Sequence, residues 1–152
     1  MAVLIIDYGM SNLGSTRRAL EECGAGVIIS DNPNDLKLAE RIILPGVGSF
    51  WDGIENLRQQ GWIDKIKKEI LDNNIPLLGI CLGMQLLADR GYEGGEHEGL
   101  GLIPGEVKKL QPVSRDERLP HIGWNEVNKV TSNKLLEDIA DGSDFYFVLL
   151  LF

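Results

Sequence analysis

Short apolar runs alternate with amphipathic stretches through the first half of the chain. Val3-Leu4-Ile5-Ile6 is a continuous apolar run, the pattern of a strand buried on both faces. Asp7-Tyr8-Gly9 turns the chain, and Ser11 or Asn12 then caps a helix running to about Glu22. Gly24 stands just past its end, as helix stops commonly do. Val27-Ile28-Ile29 and Ile42-Ile43-Leu44 read as further strands, closed by Asp31-Asn32-Pro33 and Pro45-Gly46. Phe50, Ile54 and Leu57 share one helical face, and Ile63, Ile66 and Ile70 form a second such stripe. Pro76 opens another strand, Leu77-Leu78-Gly79-Ile80, with Met84, Leu86 and Leu87 continuing as a helix directly after Cys81. This βαβα rhythm predicts an α/β fold: a doubly wound, mostly parallel sheet with helices on both faces.

From Gly91 to Gly105 the composition turns glycine-rich and acidic, and the segment reads as a loop. Glu106 to Leu110 alternates like an exposed strand, and Trp124 to Val130 is irregular. Leu135, Leu136 and Ile139 suggest a short helix, and the apolar run Phe145 to Phe152 suggests a last strand. The whole of 1–152 reads as a single domain.

Composition narrows the function classes. With 15 Lys+Arg against 23 Asp+Glu the chain carries a net charge of −8, which excludes the basic footprint of nucleic-acid or anionic-membrane binding. No apolar stretch approaches the ~20 residues of a membrane span. Cys23 and Cys81 are too few and too far apart for a disulfide framework, so a reducing, cytoplasmic setting is expected. Neither cysteine sits in a zinc-like cluster, so no metal is expected.

Gly79-Ile80-Cys81-Leu82-Gly83 places a cysteine between two glycines, after a predicted strand and before a predicted helix. This is the nucleophile-elbow pattern with Cys as the nucleophile. The glycines make the tight turn possible, and a helix N-terminus behind the sulfur favours the thiolate. Pro45-Gly46-Val47-Gly48-Ser49-Phe50 also closes a strand. Its uncovered N–H groups suit a carboxylate, a phosphate or an oxyanion, while a plain turn explains the same letters. It is neither a dinucleotide fingerprint nor a Walker loop, because Trp51 stands where the third glycine would fall and no Gly-Lys-Ser/Thr follows. His97 and His121 are the chain's histidines. His97, in the Gly/Glu-rich loop, reads as a surface residue and His121, between Pro120 and Ile122, as a packing residue. Spacing alone ties neither of them to Cys81.

Taken together, these pieces resemble the glutamine amidotransferase subunits of imidazole glycerol phosphate synthases, which are class I (triad) amidotransferases. The resemblance rests on Asp7-Tyr8-Gly9 with Asn12-Leu13, on 45–50, on 79–87, on Glu98-Gly99-Leu100-Gly101-Leu102-Ile103-Pro104-Gly105, and on Pro120 to Asn125. These follow in the family's order over nearly the whole chain. The resemblance implies that Cys81 attacks the carboxamide of glutamine, giving a glutamyl thioester and ammonia. It implies that Gly46, Val47 and Gly48 form the oxyanion strand and that Leu82 supplies the second backbone N–H. It implies that Gln85 and Glu93 hold the amino-acid end of glutamine. His121, Gly123, Trp124 and Asn125 would face a cyclase partner, a (β/α)8 barrel, in a heterodimer making imidazole glycerol phosphate for histidine biosynthesis. No cofactor is implied. Close relatives instead supply ammonia to bacterial surface amino sugars.

The sequence departs from the family pattern at two places. Ser11 stands where the family usually has Gly. After Tyr146-Phe147-Val148 the family pattern is His-Ser-Tyr, whose His is the general base, whereas Leu149 and Leu150 follow here. The later His-Pro-Glu segment is not found. The expectation is a C-terminally truncated amidotransferase domain with nucleophile and pocket but without base and orienter, and with little activity. Two other readings compete with it: a non-catalytic remnant that docks a synthase, and a different Cys hydrolase using His97 or His121.

Overall fold

A computed structural model describes residues 2–112, 119–131 and 134–149. The chain forms two compact units, Met1–Lys108 and Lys109–Phe152.

The first unit is built on a parallel sheet. Strands β1 (Ala2–Ile6), β2 (Gly26–Ser30), β3 (Arg41–Leu44) and β4 (Leu77–Gly79) lie in the order β2-β1-β3-β4. Leu4 sits opposite Ile28 on one side and Ile42 on the other, and Ile43 opposite Leu78. Successive side chains point to opposite faces. Val3, Ile5 and Ile43 pack under Leu13 and Leu20 of helix α1 (Leu13–Glu22). Leu4, Ile6, Ile42 and Leu44 point the other way and are fully buried too. Both faces of the sheet are therefore covered, as the continuous apolar runs require.

Local chemistry sets the helix ends. Asn12 Oδ1 accepts the Ser15 N–H at 3.3 Å and starts α1, so Asn12 rather than Ser11 is the cap. Gly24 follows the last turn with φ +77°. Helix α2 (Phe50–Gln59) buries its predicted stripe Phe50, Ile54 and Leu57, whereas helix α3 (Trp62–Leu71) buries Ile66 together with Trp62, which the predicted stripe did not include, and leaves Ile63 and Ile70 half-buried.

Directly after Cys81 the chain departs from the helix expected through Met84, Leu86 and Leu87. Helix α4 spans only Leu82–Gln85, and the chain then enters strand β5 (Ala88–Gly91). The carbonyls of Leu86, Leu87 and Ala88, which a longer helix would use, instead accept the N–H groups of Leu100, Leu102 and Gly101 at 2.8, 2.9 and 3.0 Å. A Cβ on Gly99 would overlap the Ala88 carbonyl oxygen, so glycine permits this approach. The stretch expected to be a loop thus supplies β6 (His97–Glu98) and β7 (Ile103–Val107), which flank β5 in the order β6-β5-β7. The strand expected from Glu106 begins earlier because pairing with β5 runs from Ile103 to Val107. His97 belongs to β6 rather than to a loop.

In the second unit, β8 (His121–Val127) pairs antiparallel with β9 (Ser143–Leu149), with Trp124 opposite Tyr146. The segment read as a loop at His121 and as irregular from Trp124 is therefore mostly strand. Gly123 and Asn125 hide the alternation, and a partner strand far along the chain supplies the pairing. The expected helix is a single 3-10 turn, Lys134–Leu136. Residues 150–152 of the predicted last strand lie outside the described residues. Among the described residues no helix is long and apolar enough to cross a membrane.

Candidate active site

The carboxyl edge of the parallel sheet gathers the candidate residues, where α/β sites usually form. Cys81 follows β4 with φ 55° and ψ −118°, a backbone conformation that costs a non-glycine residue energy. Neighbours fix this geometry. Ile80 N–H donates to the Leu44 carbonyl at 2.9 Å, and the Met84 N–H donates to the Cys81 carbonyl at 3.0 Å. A Cβ on Gly79 would come within 2.6 Å of Met84 Cα, and one on Gly83 would overlap the Leu44 carbonyl oxygen. The two glycines are there because strand β3 and the start of α4 press against the turn. The result leaves Cys81 exposed at the sheet edge. The one-turn α4 carries little of the macrodipole expected behind the sulfur, since that field grows with aligned peptides.

The segment from Gly46 to Ser49 lies beside this elbow. A Cβ on Gly46 would stand 2.9 Å from Leu82 Cβ and would overlap Tyr8 Oη. Gly48 has φ +129° and leaves room for the methyl end of Met10. The N–H groups expected to face an oxyanion are engaged elsewhere: Val47 N–H donates to the Met10 carbonyl at 2.7 Å, and Leu82 N–H donates to the Gly46 carbonyl at 3.3 Å. Peptide groups pair internally when no anion competes for them. The Gly46 carbonyl thus caps one of the two donors that the reaction would need.

Glu93 reaches the same edge. Its Oε2 accepts the Phe50 N–H at 2.8 Å, at the first turn of α2. Ser49 Oγ caps the same helix, accepting the Asp52 N–H at 3.2 Å. Gln85 lies one turn beyond Cys81 and donates its N–H to the Cys81 carbonyl at 3.2 Å. The histidines are placed differently. His97 stacks on Trp51 with ring centroids 4.4 Å apart. His121, in the second unit, accepts the Asn125 amide N–H at 2.6 Å. Beside it, Trp124 is 69% exposed and packs edge-on against Tyr146.

Two residues at the site had no site role in the sequence reading, although Tyr8 lies in the Asp7-Tyr8-Gly9 motif. Met10 supplies the carbonyl that holds Val47 N–H, and Tyr8 lies fully buried against Gly46. Burial, and secondarily the nearby Cys81, push the Tyr8 phenol well above its ordinary value. The signal available was position alone, since both follow β1 at the carboxyl edge of a buried strand.

Comparison with known proteins agrees with this geometry. The sequence profile of the class-I glutamine amidotransferases matches residues 4–147. An imidazole glycerol phosphate synthase subunit HisH 1 of Campylobacter jejuni is 47% identical over 146 residues, covering 96% of this chain and 72% of that protein. A subunit HisH of Moorella thermoacetica is 46% identical over 146 residues, covering 96% and 68%. A crystal structure of a glutamine amidotransferase superposes with a TM-score of 0.67 at 18% identity, covering 97% of this chain and 70% of that one. The elbow cysteine, the glycine strand beside it and the sequence match over both units agree: this chain belongs to the class-I glutamine amidotransferase family.

Proposed function

We propose that Cys81 is the nucleophile of a glutaminase half-reaction. The observation that carries the reading is the strained, exposed elbow at Cys81 set against the Gly46–Gly48 strand. In this reading Sγ attacks the side-chain carbonyl carbon of glutamine and forms a C–S bond. The C–N bond then breaks, and nitrogen leaves as ammonia after gaining a proton. Water cleaves the thioester to glutamate and restores the thiol. Charge on the tetrahedral oxygen needs two preorganised donors. Leu82 N–H provides one once the Gly46 carbonyl moves away. Rotation of the Gly46–Val47 peptide plane achieves that, and it releases Val47 N–H from Met10 to become the second. In this reading the paired arrangement is the resting form, and Gln85 and Glu93 take the amino-acid end of glutamine when it binds.

The ammonia passes to a cyclase partner with a (β/α)8 barrel, in the synthesis of imidazole glycerol phosphate for histidine in the cytoplasm. The names of the relatives, subunits of an imidazole glycerol phosphate synthase, support the synthase part of this reading. So does the exposed face of the β8–β9 hairpin, which bears Ile122, Trp124, Tyr146 and Val148. The two units are read as parts of one amidotransferase domain because the family match spans both.

A thiol nucleophile also needs a base. His97 is stacked on Trp51 and His121 is paired with Asn125. In this reading Leu149 and Leu150 follow Val148 where the family pattern has the base histidine, so the 152-residue polypeptide releases glutamate several orders of magnitude more slowly than a class-I enzyme with a histidine at its nucleophile, even with its partner. Inactivation by a chloromethyl-ketone analogue of glutamine tests the assignment. Labelling of Cys81 saturates with reagent concentration while labelling of Cys23 stays linear. Linear labelling at both cysteines would refute it.

A further inference from the structure

Tyr8 is fully buried, yet its hydroxyl has no hydrogen-bond partner. Native interiors rarely leave a donor unpaired, and such a group calls for an explanation. The residue is not loosely held. Its backbone carbonyl accepts Asn56 Nδ2 at 3.2 Å and Gln60 Nε2 at 3.1 Å, both from α2 and its end. Its hydroxyl is packed against Gly46, in the space a Cβ there would fill. Ser11 Oγ is also buried and unpaired, but nothing places it beside the elbow.

Gly46 is the residue whose carbonyl changes partner during the reaction proposed above. In the resting form that carbonyl accepts Leu82 N–H. When the Gly46–Val47 peptide rotates, it loses this donor and turns from the side where Leu82 waits. A buried carbonyl without a donor opposes the rotation. We propose that Tyr8 is a positioning residue whose Oη–H donates to the Gly46 carbonyl in the rotated state and so holds the oxyanion donors open. The hydroxyl is unpaired in the resting form because its acceptor arrives only on activation. The cost of leaving it unpaired raises the energy of the resting form and narrows the gap to the active one. Burial and the neighbouring thiol oppose loss of its proton, so the group remains a donor through ordinary pH.

This inference rests on the glutaminase reading, and the test separates the two. The intact chain and its Tyr8→Phe variant are treated with the chloromethyl ketone of glutamine and, separately, with iodoacetamide. Labelling of Cys81 and Cys23 is followed by peptide mass spectrometry. Attack of the thiolate on the ketone carbon forms a C–S bond and puts the charge on the ketone oxygen. Sulfur then shifts to the methylene carbon as the carbonyl re-forms and chloride leaves. Iodoacetamide instead alkylates the thiolate by direct displacement of iodide and needs no oxyanion donor. The expected result for Tyr8→Phe is labelling of Cys81 by the ketone about tenfold slower, the worth of one lost hydrogen bond. Iodoacetamide labelling stays within about twofold, and Tm is unchanged or higher because an unpaired polar group has been removed. Incorporating a ring-fluorinated tyrosine at position 8, a stronger donor of nearly the same shape, restores the ketone rate. Equal ketone rates in the two proteins overturn the positioning role and leave the glutaminase reading intact. A lower Tm with both reagents slowed alike makes Tyr8 a packing residue and overturns it as well. Absence of saturation in the unsubstituted chain overturns the glutaminase reading and the positioning role together.

Discussion

The parallel sheet and the β8–β9 hairpin use similar residues to opposite ends. In the sheet, Leu4, Ile5, Ile6, Ile42 and Leu44 are all but sealed from solvent. In the hairpin, Ile122, Trp124, Tyr146 and Val148 are each more than half exposed. Burial on both faces makes the sheet a rigid frame. It holds Cys81 at an unfavourable φ because Leu44 and Met84 leave the turn no alternative. The hairpin satisfies its backbone by pairing but leaves an apolar face open, which in a folded protein usually marks a surface for a partner. Strain is stored where packing is dense, and the surface proposed for the partner lies where packing is open.

That contrast can be broken by substitution. Gly83→Ala forces a methyl group onto the Leu44 carbonyl. It should destabilise the first unit by about 3 kcal/mol and displace Cys81, seen as a lower denaturation midpoint with loss of saturable labelling. Ile42→Ala removes a fully buried side chain from the sheet and should cost about 2–4 kcal/mol, measured by urea unfolding, while Cys81 still labels at reduced stability. Trp124→Ala in the hairpin should change stability by only about 0.5 kcal/mol. It should weaken binding of a barrel cyclase roughly thirtyfold, as a central aromatic anchor does, read by titration calorimetry. Equal stability losses for Ile42→Ala and Trp124→Ala would abolish the distinction.

The smallest effect concerns pH. The folded state holds the Tyr8 phenol above its ordinary value of 10.0. Unfolded chains then lose this proton first, so above about pH 10 the unfolded state binds fewer protons and stability falls as pH rises. Below that pH the contribution is fully present. Tyr8→Phe should flatten this alkaline decline relative to the unsubstituted chain, as followed by Tm between neutral and alkaline pH.

The parallel sheet and its helices were legible because its strands are apolar runs, α1 is bracketed by Asn12 and Gly24, and α2 and α3 carry one-sided stripes. Gly79, Cys81 and Gly83 were legible as an elbow for the same reason: their spacing encodes a turn between two such elements. What followed was not. Leu86 and Leu87 fit a helix by period, and only the distant N–H groups of Leu100 and Leu102 turn the chain into β5. The hairpin was masked by Gly123 and by the long interval to β9. At the candidate site, residue identity suggests roles and leaves the state of the backbone open. Gly46, Val47 and Leu82 point to oxyanion donors. That Met10 and Gly46 occupy those donors, and that Tyr8 lies beneath them, depends on backbone orientation that residue types do not encode.

Protection of Cys81 by glutamine is the most direct test of this account. The chain is alkylated with iodoacetamide in rising concentrations of glutamine, with Cys23 as the internal control and asparagine as the control ligand. The account predicts that glutamine slows alkylation of Cys81 to a plateau, that asparagine does not, and that Cys23 is indifferent to both. Alkylation of Cys81 at the same rate with and without saturating glutamine would contradict it.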